Sequence, residues 1–122
     1  IGSPAMNFFK GRIEGGRFQA EGGVALPLAN GAGSGGQAGA GRPATYGIRP
    51  EHFRLAPDGV QVRVKVVEPT GSETQVVAEC GGQEVVCVFR ERIAARPGEM
   101  LGIAPDARLA HLFDETSGRR ID

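Results

Sequence analysis

The chain lacks most features that would give it a function on electrostatic or covalent grounds. Fourteen Lys and Arg balance fourteen Asp and Glu. Nucleic-acid affinity is dominated by phosphate neutralisation. A neutral chain without a basic run gives it no basis. Only two cations are lysines, Lys10 and Lys65, and neither follows a glycine. That excludes a G-x-x-x-x-G-K-[ST] phosphate loop. There is no G-x-S-x-G nucleophile elbow. Two histidines (His52, His111) and two cysteines (Cys80, Cys87) lack the close spacing a zinc site needs, so no metal is expected. No apolar run approaches the ~20 residues of a membrane helix. No signal peptide is visible.

The two cysteines can be placed. They flank Gly81-Gly82, a strong signal for a two-residue hairpin turn. In that register Cys80 opposes Gln83 and Cys87 opposes Val76. The thiols then share a face but sit four positions apart, about 13 Å at ~3.3 Å per residue. A disulfide needs Cα atoms within about 7 Å. Two free, partly or fully buried thiols are predicted, and with them a reducing, cytosolic setting. A Cys–His nucleophilic pair would need an exposed thiolate, whereas these cysteines fall on a core face.

What is present reads as β-structure. The chain has 122 residues, which suits one domain. Twenty glycines and eight prolines argue against long helices. VQVRVKVV, Val60 to Val67, alternates with period two, so Val60, Val62, Val64 and Val66 are expected on one face. The hairpin that follows puts Val76, Ala78, Cys80, Val85, Cys87 and Phe89 on its core face. Glu73, Gln75, Glu79, Glu84 and Arg90 lie on the other, with Glu73 opposed to Arg90. Further strands are expected at 7–13, 17–20, 24–28, 44–49, 100–103 and 110–113. Turns are expected at 96–99 and 115–118, and one helical turn at 90–95. Strands this short and this evenly spaced imply a barrel or sandwich.

Residues 29–41, ANGAGSGGQAGAG, offer nothing to bury and are expected to form a flexible loop. Gly31–Gly36 formally match G-x-G-x-x-G, and Ser34–Gln37 echo the SGGQ of a transporter ATPase signature. Both motifs work at the head of a helix. QAGAGRP follows here and cannot supply one.

The remaining cluster is YGIRPEH, Tyr46 to His52, with Arg49, Glu51 and His52 close together. Pro50 forbids a helix interior and biases Arg49 to extended backbone. The cluster therefore ends a strand. Its charges fit a solvated turn, a partner contact or an acid–base site, although no nucleophile or cofactor cradle accompanies them.

Five blocks in order, GSPAMNFF, GIRPEHF, VEPTGSETQVV, GEMLGI and HLFDETSGRRI, resemble the C-terminal regulatory region of ATP-binding subunits of carbohydrate ABC importers, of the maltose and glycerol-3-phosphate type. The resemblance covers nearly all of the chain outside the Gly-rich loop. It implies one all-β, OB-like (MOP/TOBE) barrel over 1–122. It makes residues 1–9 the crossover from a nucleotide-binding domain outside this chain. IGSPAMNFF begins mid-pattern without an initiator methionine, as expected of a piece of a longer chain. In the family the catalytic motifs lie upstream, with ATP and Mg. No catalytic residue or cofactor is expected here. The resemblance further implies a homodimer through this domain, contact with the chain's own nucleotide-binding domain, indirect contact with permease subunits, a regulatory protein partner and no nucleic acid. It places the assembly at the cytoplasmic face of the plasma membrane. Arg49 and Glu51 in GIRPEH, and Glu68, Gly71 and Glu73 in VEPTGSET, are the expected regulatory or dimer contacts. Two other readings stay open. One is an OB-like module binding an oxyanion or sugar. The other is an enzyme built on Arg49, Glu51 and His52.

Overall fold

Gly81 and Gly82 both take positive φ, +56° and +86°. That is what a tight two-residue hairpin requires. Around them the computed structural model, which describes residues 4–29 and 41–121, places the expected hairpin of β6 (Glu73–Cys80) and β7 (Gln83–Phe89). Cys80 pairs with Gln83 and Cys87 with Val76, as the turn chemistry predicts. All six residues expected on the inner face are buried.

The preceding strand, β5 (Phe53–Thr70), is far longer than 60–67. It leaves its ladders at two points. Leu55 and Val60 both pair with Ile103, so residues 56–59 loop out of the sheet. At that crossing a Cβ on Gly102 would collide with the Ala56 carbonyl oxygen, and one on Gly59 with that of Ile103. Further on, the pairing with β6 shifts between Val64 and Val66, with Lys65 as the extra residue. The bulge corrects the expected valine alternation. Val62 and Val64 are buried, Val66 is 47% exposed, and Val67 packs against the core. The shift sits where the 96–99 turn takes over from β8. The Val64 N–H donates to the Glu99 carbonyl (2.8 Å), and its carbonyl accepts from Gly98 N–H (2.8 Å).

The other strands are β1 (Asn7–Glu14), β2 (Arg17–Ala20), β3 (Ala25–Pro27), β4 (Arg42–Ile48), β8 (Met100–Pro105) and β9 (His111–Asp114). They form two antiparallel sheets, ordered β3-β2-β1-β4-β9 and β7-β6-β5-β8. Among the described residues there is no α-helix, so the all-β class stands. Residues 90–95 do not make the expected helical turn. They run without regular structure. The Thr74 hydroxyl donates to the Glu91 carbonyl (2.8 Å) and Ile93 is buried, so tertiary contacts hold the segment in place of a helical turn. The stretch expected as a crossover, 1–9, already gives Asn7, Phe8 and Phe9 to β1. Of the Gly-rich 29–41 segment, residues 30–40 lie outside the described residues.

The two inner faces share one core. Tyr46 is its largest fully buried side chain, and its hydroxyl donates to the Pro27 carbonyl (2.8 Å). Asn7 joins the sheets. Its side-chain Oδ1 accepts from Val86 N–H (2.8 Å). Its Nδ2 donates to the Val86 carbonyl (2.9 Å) and, at 3.2 Å, to the Ile48 carbonyl. One amide thus occupies the exposed edge of β7 as a neighbouring strand would.

Candidate functional site

Two strand-end turns carry the residues singled out from the sequence. After β4, Arg49 is extended (φ −74°, ψ 149°), as a residue before proline should be. Pro50–His52 then make a single 3-10 turn, with Pro50 buried. His52 N–H donates to the Arg49 carbonyl (3.0 Å), and Asp106 N–H donates to the His52 carbonyl (2.8 Å). The turn is thereby anchored to the end of β8, while Arg49 and Glu51 remain exposed. Among the described residues no hydrogen bond or ion pair joins the side chains of Arg49, Glu51 and His52. They are not wired as an acid–base set.

The second turn joins β5 to β6. Gly71 takes φ +77° at its tip, with open space where a Cβ would stand. Glu73 is half-buried and faces Arg90 across the hairpin at 3.9 Å. Arg90 is 89% exposed, so the pair sets position more than it stabilises.

The two turns meet along β7. A cleft of about 320 Å³ between the 3-10 turn and β7 is lined by Glu51, His52, Arg54, Glu73, Arg90 and Glu91 among others. A neighbouring groove of about 410 Å³ is lined by Gly71, Ser72, Glu73, Glu91, Arg92 and Ile93 among others. Glu73 and Glu91 belong to both. The structure therefore brings Glu51, Gly71 and Glu73 onto one shallow surface. Arg49 and Glu68 line neither cleft. Glu68 sits on the outer face of β5, opposite Gln75. Arg54, Glu91 and Arg92 were missed. The charge alternation of RERI was a local signal for the last two, but it reads equally well as a helical turn.

This surface is open and carries both signs, and among the described residues no cysteine lines it. The nearest thiols are in the core. Burial pushes the Cys87 thiol up to about 12, with Cys80 adding to the shift, and burial also raises Cys80. Both stay protonated near neutral pH and are inert as nucleophiles.

Comparison with known proteins agrees with the fold and the order of the motifs. The MalK OB fold domain family matches residues 2–53, and the TOBE domain family matches residues 46–113. An uncharacterized ABC transporter ATP-binding protein of Sinorhizobium fredii is 47% identical over 99% of this chain and 32% of its own length. The sulfoquinovosyl glycerol transport ATP-binding protein SmoE of Agrobacterium fabrum is 38% identical over 99% of this chain and 35% of its own. The sn-glycerol-3-phosphate import ATP-binding protein UgpC of Escherichia coli O157:H7 is also 38% identical, over 99% and 34%. The chain thus spans about a third of the length of these relatives. Among solved structures, the cytoplasmic molybdate-binding protein ModG superposes with TM-score 0.70 at 18% identity, over 92% of this chain and 98% of that one. That likeness is one of fold. Two matched family regions spanning the OB-like barrel from β1 to β9, and relatives aligned along almost all of its length, establish that this chain belongs to the TOBE domain family, in the form carried by ABC transporter ATP-binding proteins.

Proposed function

We propose that this domain is the non-catalytic regulatory and dimerisation part of the ATP-binding subunit of an ABC importer for a sugar, a polyol or glycerol-3-phosphate. One observation carries the reading. Relatives named for the transport or import of glycerol conjugates align with nearly the whole chain at 38% identity. ATP and Mg belong to the remaining two thirds of such a protein. This domain would hold two subunits together and receive regulatory contacts, on the cytoplasmic side and beside the permease subunits. Glu51, Gly71 and Glu73, with Arg90, Glu91 and Arg92, form the proposed contact surface. Arg49 and Glu68 flank it. An open surface with charges of both signs supports a protein partner over a small solute, which would need a more enclosed site. No helix among the described residues is long and apolar enough to cross a membrane, so attachment would come through the permease.

The test is an uptake assay with the parent ATP-binding protein carrying Glu51→Lys and Glu73→Lys. Altered regulation or assembly with an intact ATPase site is expected. Unchanged uptake, regulation and assembly would overturn the assignment. A second reading follows from the fold shared with a molybdate-binding protein. In it the cleft around His52, Arg54 and Arg90 takes an oxyanion or sugar. Calorimetric titration with molybdate, phosphate, glycerol-3-phosphate and maltose separates the two. Micromolar binding would favour the second reading.

A further inference from the structure

In an antiparallel sheet with one face on the core, the other face should be polar. The outer face of β5–β6–β7 departs from this in one row. Val66, Val77 and Val86 pair directly across the three strands and form an apolar row. Val66 is 47% exposed. The Lys65 bulge created this row by turning Val66 outward. A contiguous apolar row on a solvent face is a candidate contact site.

The rows on either side identify the occupant. On one side Arg63, Glu79 and Glu84 pair across the strands, and on the other Glu68, Gln75 and Val88. A twofold axis along the valine row lays each valine row on its copy and exchanges the flanks. Arg63 then opposes Glu68 of a second copy, and Glu79 opposes Gln75. No like charges meet. A twofold along β6 would instead set Glu79 against itself. We propose that this face is the self-association surface of the domain, with twofold-related Arg63–Glu68 pairs fixing its register. The proposal rests on the dimerisation put forward above and names the face that performs it. An isologous contact doubles every such pair, so few residues suffice to specify it. Within one chain Arg63 and Glu68 cannot pair, because five residues along a strand span about 15 Å. Arg63 instead donates to the Gly98 carbonyl (3.0 Å), and Lys65 pairs with Glu84 at 3.3 Å.

Three strands and three rows cover roughly 15 by 20 Å, well under the ~800 Å² per partner of a stable interface. Association of this chain should therefore be weak, and is best read by sedimentation over a series reaching about 1 mM. Val77→Lys should weaken it about tenfold or more, as expected for a charge at the centre of an interface. Arg63→Glu and Glu68→Arg should each weaken it, and the double variant should recover most of the loss, since reversed charges pair again across the axis. Recovery cannot come from folding, because the two residues do not touch in one chain. If the native chain associates and all these variants associate equally well, this face is wrong while dimerisation stands. If the native chain stays monomeric throughout the series, both the face and the dimerisation reading fall.

Discussion

Replacing Asn7 by alanine should cost far more than a half-polar residue near a chain end would suggest. The side chain is 8% exposed and makes three hydrogen bonds to backbone groups, two at Val86 and one at Ile48. Truncation leaves one N–H and two carbonyls without that partner. A buried backbone group left unpaired costs about 1–3 kcal/mol. Val86 lies on an edge strand, where water reaches part of it, and Ile48 keeps its ladder pairing. The net loss should be about 2–3 kcal/mol, or roughly a 10 °C fall in Tm for a domain of this size. Asn7→Asp tests the geometry more sharply. It keeps the acceptor for Val86 N–H but turns a carboxylate oxygen toward two carbonyls. It should be at least as damaging as alanine, despite being nearly isosteric. Urea unfolding measures both variants, and hydrogen exchange should show the Val86 amide losing protection before its β7 neighbours in Asn7→Ala. A cost below about 0.5 kcal/mol for alanine, with Val86 protection unchanged, would refute the closure of the β7 edge by this residue.

Three further outcomes follow. Cys80 and Cys87 should resist a water-soluble thiol reagent at pH 8 and react only as fast as the protein unfolds. Rapid labelling of either in native buffer would contradict their burial and raised pKa. Gly102→Ala should destabilise by about 2 kcal/mol or more, because the added Cβ meets the Ala56 carbonyl oxygen and backbone must move. An unchanged urea midpoint would refute that close approach. Asp114 accepts from Ser117 N–H (2.8 Å) and Thr116 N–H (3.1 Å), with the Arg42 guanidinium at 3.5 Å, and these hold its carboxyl below the usual range. Its contribution is therefore full above the unfolded value near 4 and disappears as pH falls through the lower folded value. The stability gap between the native chain and Asp114→Asn should be flat from pH 7 to about 5 and shrink below about 4. A gap independent of pH down to 2 would refute the assignment.

Local chemistry made part of this fold readable. The β6–β7 hairpin is written in Gly81-Gly82 and in the alternation on either side, and its pairing follows residue by residue. Tertiary pairing hid the rest. VQVRVKVV alternates from Val60 to Val66, and its one break, Val67 after Val66, does not say that Lys65 is the extra residue. The bulge arises because the 96–99 turn takes both backbone groups of Val64 from more than thirty residues away. The Asn7–Val86 bonds span 79 positions and have no local signature. The candidate surface divides in the same way. Glu73 opposite Arg90 was legible because both lie on the hairpin. That Glu51 joins them was not, because it depends on the packing of the 3-10 turn against β7. The irregular course of Glu91 and Arg92 depends on Thr74 holding the Glu91 carbonyl.

The regulatory and dimerisation reading is tested most directly by sedimentation of the parent ATP-binding protein without nucleotide, intact and lacking this domain. The account predicts that the intact protein associates and the shortened one is monomeric while still hydrolysing ATP. Equal association of the two, or loss of ATP hydrolysis on removing the domain from a protein that otherwise remains folded, would contradict it.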